Sequence, residues 1–357
     1  MGNWLWLYPV VFVVIIALVL GFYLYNKMPS KDDAPWIIVI TAATNLINQS
    51  FESPTNYLQL AVGFLLIVIG IGMYYVTVTN VYVLNLFGPS KKRIREKENR
   101  TKLLLLKDSI IEREIDIIRI WNGGVGLTQE KMAYIDEELK EKVAIFAVES
   151  SNEKRALTGE APIPLTILAG TYSNNANFNL YFEYSQEKSK YTSLGIKKRK
   201  NPIEQKNFSD RTLEVANSLY EKELLVTVET TFSIIDTDLE QFVDIPYHLA
   251  FQSKCIKRNA ITSKDQLIRA SNTIFEELSA VTKTYSIKRI HLVMATQSCL
   301  CFELGQILEA NFNMIPEVIS YHYVNKIEGK KYPIGIAITQ ERKGELILNE
   351  GGNQCIH

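Results

Sequence analysis

In Ile290-His291-Leu292-Val293-Met294-Ala295-Thr296-Gln297-Ser298-Cys299-Leu300-Cys301-Phe302-Glu303-Leu304-Gly305 an apolar run gives way to small polar residues, then to a second apolar run that closes on glycine. A short apolar run bounded by turn residues reads as a buried strand, and a longer one reads as a helix. The segment is therefore strand, loop and helix, with Ala295 to Ser298 at a helix N-terminus, where backbone N–H groups favour anions. Upstream, Glu160-Ala161-Pro162-Ile163-Pro164-Leu165 leads in the same way to Gly170. Each copy is followed by a tyrosine-rich hairpin. Leu180-Tyr181-Phe182-Glu183-Tyr184 with Lys190-Tyr191-Thr192 matches Ser320-Tyr321-His322-Tyr323 with Lys331-Tyr332-Pro333.

Around these copies, β-rich runs alternate with helical patterns. Glu223 to Thr230, Tyr247 to Gln252 and Arg289 to Met294 read as strands, and Ser263 to Thr284 reads as a helix between the last two. Gln129 to Val143 reads as another helix. Such alternation predicts an α/β fold with a largely parallel sheet, whose ligands sit at the carboxyl ends of the strands.

The first ninety residues are of another kind, with only Lys27, Lys31, Asp32, Asp33 and Glu52 charged. From Trp4 to Tyr25 about 22 residues carry no charge, enough at 1.5 Å per residue to cross a hydrocarbon core of roughly 30 Å. Tyr57 to Phe87 is a second uncharged stretch, long enough to span with tilt. The sequence thus predicts a two-helix transmembrane hairpin over residues 1–90, with spans at about 4–25 and 57–87. Between them Pro35 to Ala43 is apolar but too short to span, and fits an interfacial or re-entrant helix. Gly63 and Gly70, two turns apart, suit close helix packing. Lys91, Lys92, Arg93, Arg95, Lys97, Arg100 and Lys102 follow the second span, against Lys27 and Lys31 in the loop, which places both termini in the cytoplasm. The same run suits anionic headgroups. Leu103, Leu106, Ile110, Ile117 and Ile120 recur at helical spacing, so residues 91–121 read as a linker helix ended by Asn122-Gly123-Gly124.

The paired segments resemble the two halves of a SAVED domain. The run from Ile290 to Gly305, with Ile319-Ser320-Tyr321-His322-Tyr323 and Tyr332, is similar to its C-terminal half; Ala161 to Gly170 with its hairpin is similar to the N-terminal half. On that resemblance, residues 103–220 and 221–345 are two fused CARF-like (Rossmann-like) units, and 346–357 is a tail. The resemblance implies a receptor for a cyclic oligonucleotide of two to four nucleotides, made by a partner nucleotidyltransferase in CBASS anti-phage defence or in a CRISPR type III system. It further implies an effector at the other end of the chain, here the two spans. The expected protein is an inner-membrane effector that oligomerises on binding and disrupts the bilayer. The rival reading is a membrane tether whose soluble domain holds a protein or linear nucleic acid.

A phosphate-rich ring with stackable bases asks for hydroxyls, helix N-termini, cations and aromatic walls. Thr296, Gln297 and Ser298 in the strand-to-helix loop are the first candidates. Thr230, Thr231 and Ser233 follow one strand, and Gln252, Ser253 and Lys254 follow the next. Tyr184, Tyr191, Tyr323 and Tyr332 are candidate stacking residues, although strand tyrosines also serve as packing. Lys197-Lys198-Arg199-Lys200 is a basic linker that attracts an anion, meets lipid or is simply solvated. Cys255, Cys299, Cys301 and Cys355 lack paired spacing and read as reduced thiols, with no metal set among four scattered histidines. Gly123-Gly124-Val125-Gly126 lacks the Lys-Ser/Thr ending of a P-loop, and no nucleophile elbow is present. No cofactor and no enzymatic activity are predicted.

Overall fold

The computed structural model describes residues 40–45, 47–48, 62–68, 70, 80–96, 109–124, 126–173, 176–185, 187–211, 222–325 and 330–348. The chain divides into two compact units, Met1–Val78 and Thr79–His357.

In the N-terminal unit the described residues 40–45, 47–48, 62–68 and 70 are helical. Ala43, Ile47 and Ile67 form a small buried cluster. Gly63 is needed there, because a Cβ would lie 2.6 Å from Ile47 Cγ1 and 3.1 Å from the Ala43 carbonyl oxygen. Val62, Leu65 and Val68 are exposed. No helix among the described residues is long and apolar enough to cross a membrane. The expected span at 4–25 lies outside the described residues.

The second unit holds two sheets. The first contains β1 (Asn80–Leu86), β2 (Ser109–Ile115), β3 (Lys154–Gly159), β4 (Leu180–Ser185) and β5 (Lys190–Ser193) in the order β2-β1-β3-β4-β5. The second contains β6 (Ile203–Asp210), β7 (Glu223–Glu229), β8 (Tyr247–Ser253), β9 (Arg289–Ala295), β10 (Glu317–His322), β11 (Ile334–Ala337) and β12 (Leu346–Leu348) in the order β12-β11-β10-β9-β7-β8-β6. Four neighbouring strands are parallel in each: β2, β1, β3, β4 in one and β8, β7, β9, β10 in the other. An antiparallel strand, β5 or β11, then follows β4 or β10. The halves are thus copies of one Rossmann-like plan, and the sequence echo is its trace.

Helices α1 (Ile118–Trp121), α2 (Gln129–Glu149), α3 (Ile163–Tyr172), α4 (Lys264–Tyr285) and α5 (Ser298–Ala310) complete the described part of the unit, with 3-10 turns at Asn122–Gly124 and Asp236–Phe242. The largest core cluster joins α2, α3, α4 and α5 to inward residues of both sheets, such as Leu84, Leu157, Val226 and Leu292. The outer face of each sheet has its own smaller cluster. The equivalent helices α3 and α5 meet at glycine: a Cβ on Gly170 would lie 2.2 Å from the Phe302 carbonyl oxygen, and one on Gly305 2.1 Å from that of Ile167. Only hydrogen side chains allow this approach, which fastens one half to the other.

Four expectations about the chain are corrected here. Residues 80–86, assigned to the second span, form β1, a central parallel strand between β2 and β3. Buried on both faces, such a strand reads as an unbroken apolar run, as a membrane span does. Residues 109–115, assigned to the linker helix, form β2; among the described residues of 91–121, only α1 is α-helical. The halves divide at different points: β1 extends the first to Asn80, and β6 joins the second sheet by pairing with β8. Finally, Leu346–Leu348 is no tail but the edge strand β12, paired with β11.

Candidate functional site

The carboxyl ends of the two sheets come together at the amino end of α5. Its N-cap residue Gln297 makes no side-chain cap. Instead, the buried Gln297 amide accepts from Ile261 N–H (2.7 Å) and donates to the Ile261 carbonyl (3.2 Å), fixing the loop after β8 to the start of the helix. The capping acceptor comes from the other half: Cys299 N–H donates to Glu183 Oε1 on β4 at 3.0 Å. Ser298 Oγ donates to the carbonyl of Gly159, the last residue of β3, at 2.9 Å. Burial raises the Glu183 carboxyl above the usual carboxylate range, although the Cys299 hydrogen bonds oppose the shift.

On the second sheet, the Thr230 and Thr296 hydroxyls are hydrogen-bonded at 2.7 Å. Thr230 and Thr231 N–H both donate to the Ala295 carbonyl (2.9 and 3.0 Å), so the exits of β7 and β9 are tied. Beyond them Phe232 is exposed, with the Arg258 guanidinium 5.8 Å from its ring centre. Lys257, next to Arg258, donates its N–H to the Thr230 carbonyl. Glu229, at the end of β7, is buried, and burial raises its carboxyl; Gln252 Nε2 donates to it at 3.3 Å.

On the first sheet, the loop after β1 folds over the carboxyl edge. Ser90 Oγ donates to Glu160, the residue after β3. Lys92 Nζ stands 3.4 Å from the centre of the Tyr184 ring and 4.0 Å from Glu160 Oε1. Tyr191 OH donates to the Lys92 carbonyl at 3.0 Å.

The predicted site residues separate accordingly. Thr230, Thr231, Thr296 and Ser298 lie together at the joined edges, with Ser233 exposed just beyond. Gln297 is internal scaffolding. Ser253 is buried in a turn, bonded to Cys255 N–H and carbonyl, and Lys254 is paired with Glu204 at 3.3 Å. Tyr191 and Tyr332 are only 1% and 3% exposed, in the clusters on the outer faces of the sheets, so these rings cannot offer a face to a base. Their partners Tyr184 and Tyr323 meet them edge-on at 5.2 and 5.4 Å, one repeated motif in the two halves. Tyr323 remains exposed, whereas Tyr184 lies under Lys92. The linker 197–200 is docked on the amino end of α4, Arg199 N–H donating to Asp265 at 3.0 Å and the Lys200 carbonyl accepting from Gln266. Cys299 and Cys301 are buried free thiols, with pKa values raised by burial.

Sequence reasoning passed over Phe232, Arg258, Lys92 and Glu183. Phe232 and Arg258 carry a signal that was readable, an aromatic and a cation in loops after adjacent strands. Lys92 was assigned to headgroups with the rest of its run. Among the described residues, Lys91 pairs with Asp116, Arg93 with Glu114 (2.8 Å), and Arg95 with Glu114 (3.1 Å) and Glu112 (3.9 Å). Lys91, Arg93 and Arg95 are therefore paired with acids of β2 and the residue after it in this structure.

A separate cleft of about 570 Å³ lies between the halves, lined by residues of α4, α5 and 176–181. Lys264 Nζ donates to the Phe178 carbonyl there (2.6 Å), and burial lowers its pKa. Tyr181 OH donates to Glu303, whose carboxyl burial raises. None of the sequence-predicted residues lines it.

This two-half architecture agrees with a family match. The SAVED family, described as SMODS-associated and fused to various effectors sensor domain, matches residues 139–338, over half of the 357-residue chain. The chain belongs to the SAVED family. Among solved structures it is similar to the SAVED/CARF-domain containing receptor Cap4 of Acinetobacter baumannii. The form with the cyclic trinucleotide 2'3'3'-cAAA matches at 12% identity and a TM-score of 0.46, over 88% of this chain and 64% of that one. The form with 3'3'3'-cAAA matches at 12% identity and a TM-score of 0.45, over the same shares. The chain thus spans less than two thirds of the Cap4 length. Among curated proteins, none matches the chain.

Proposed function

We propose that this chain is a membrane-anchored receptor for a cyclic oligonucleotide second messenger, acting as an effector of bacterial anti-phage defence. The observation that carries the reading is the meeting of two Rossmann-like carboxyl edges at the amino end of α5, in a chain of the SAVED sensor family. Carboxyl edges are where open α/β sheets bind ligands. A fused pair of them suits a ring with repeated phosphates and bases. The hydroxyls of Thr230, Thr231, Thr296 and Ser298 and the Phe232–Arg258 pair supply polar and stacking groups there.

The anchor is the uncharged N-terminal sequence at 4–25 and 57–79, shortened at its end by β1. The exposed apolar residues Val62, Leu65 and Val68 support a lipid-facing role for the helical residues 62–68. In this reading the protein sits in the inner membrane with both termini cytoplasmic, and a nucleotidyltransferase supplies the messenger. Binding favours an oligomer in which many two-helix anchors crowd and breach the bilayer. Ligand free energy drives that step only if the assembled state binds more tightly than the resting one.

The test is dye release from liposomes carrying the full chain. One cyclic oligonucleotide is expected to trigger release, and its linear counterpart is not. A messenger that binds without release would remove the membrane-breaching step. Capture of a linear nucleic acid or a protein with no response to any ring would favour a tether.

A further inference from the structure

The segment 88–96 that follows β1 has two faces with different partners. Its odd-numbered cations meet the acids of β2 and the residue after it in a regular ladder: Lys91 with Asp116, Arg93 with Glu114, and Arg95 with Glu112 and Glu114. The cations at 91, 93 and 95 meet the acids at 116, 114 and 112, so the segment runs antiparallel to β2 in steps of two residues. Glu112 secures the end, accepting from Ile94 N–H (3.0 Å), Arg95 N–H (3.2 Å) and the Asn85 amide.

Ser90, Lys92 and Ile94 point elsewhere. Ile94 is fully buried in the outer cluster of the first sheet, and Ser90 donates to Glu160. Lys92 is held by its backbone, whose carbonyl accepts from Tyr191 OH and Asn85 Nδ2. Its ammonium rests on the Tyr184 ring, with its nearest carboxylate, Glu160, 4.0 Å away. The three ladder cations are held by carboxylates at shorter range, while Lys92 is a partly exposed cation beside the residue that follows Gly159, where α5 reaches the first sheet.

We infer that Lys92 is a phosphodiester-binding cation of the messenger site, and that the ion-pair ladder on β2 is the device that positions it. The inference rests on the receptor reading above. Lys92 exchanges the Tyr184 ring and Glu160 for a phosphate oxygen of the ring, a stronger charge-assisted contact. Because the segment continues β1, which begins directly after the N-terminal unit, this contact also ties the messenger to the strand that leaves the anchor.

The experiment titrates the detergent-solubilised full chain with a panel of cyclic di-, tri- and tetranucleotides at several salt concentrations. For the cyclic species that binds, Lys92→Gln is expected to weaken binding about 10- to 100-fold and to make the slope of log affinity against log salt shallower by about one ion. Lys92→Arg should keep most of the affinity and the wild-type slope. In the ladder, Asp116→Lys should weaken binding, and the swap Lys91→Asp with Asp116→Lys should restore it. An unchanged affinity and slope in Lys92→Gln, while the wild type binds, overturns the inference and leaves the receptor standing. Loss of affinity with an unchanged salt slope also overturns it, since it marks a packing role. If the folded wild type binds no ring, both fall.

Discussion

Replacing Gly305 by alanine would set a methyl carbon 2.1 Å from the Ile167 carbonyl oxygen and 3.1 Å from the Gly170 Cα. Carbon and oxygen tolerate about 3.3 Å, so α3 and α5 must part by roughly 1 Å. Both partners are backbone, and no rotamer change relieves the clash. Overpacking of this kind costs about 1–3 kcal/mol, and the clash of main chain on main chain belongs at the upper end. Against it stands a gain of about 1 kcal/mol from exchanging glycine for alanine within a helix. The net expectation is a loss of about 2 kcal/mol, or roughly 3–4 °C in Tm for a unit of this size. Gly170→Ala should behave alike, since its Cβ would lie 2.2 Å from the Phe302 carbonyl oxygen. The double variant should lose less than the sum, because helices already parted by one methyl accept the second more cheaply. Buried Trp121 reports unfolding of this unit once Trp4, Trp6 and Trp36 are changed to phenylalanine. Urea melts of that protein in mild detergent supply the free energies. A gain of about 1 kcal/mol on Gly305→Ala, the bare helix-propensity result, would refute the close crossing.

Gln297→Ala removes two hydrogen bonds to Ile261 from a buried site and leaves both backbone groups without that partner. It should destabilise by about 1–3 kcal/mol in the same melts. Phe232→Ala, at an exposed ring, should change stability by no more than about 0.5 kcal/mol yet weaken messenger binding measured by calorimetry. For pH, burial lowers His322 to about 4, below the unfolded value of about 6.5. As pH falls through that interval the unfolded chain takes up a proton that the folded chain refuses, so stability is lost from about pH 6.5 downward. His322→Asn removes this dependence, and wild type should lose up to about 3 kcal/mol relative to the variant between about pH 7 and pH 4. A constant difference across that range would count against a half-buried neutral imidazole.

The second half was the more legible in sequence. β7, β8, β9 and α4 fall within a residue or two of the runs that suggest them, because each is a compact apolar pattern bounded by turn residues. The repeat was legible as well: the strand orders agree, and the pairs Tyr184–Tyr191 and Tyr323–Tyr332 share an edge-on geometry. β1 was hidden by the two readings its apolar run allows. β2 was hidden because Ile110 also fits a helical spacing with Ile117 and Ile120, while its alternate acids, Glu112 and Glu114, gain meaning only beside Arg93 and Arg95. Of the site, the loop Thr296 to Ser298 was readable as a strand-to-helix junction. That Gln297 is turned inward, and that Glu183 of the other half caps α5, depends on tertiary contacts far apart in sequence.

The most direct test of the receptor reading is the thermal shift of the full chain in detergent against a panel of cyclic di-, tri- and tetranucleotides, with linear oligonucleotides as controls. One ring should raise Tm with a concentration dependence set by its Kd, and its linear counterpart should leave Tm unchanged. A folded chain whose Tm moves with none of the rings, or equally with rings and linear controls, would contradict a cyclic messenger as its ligand.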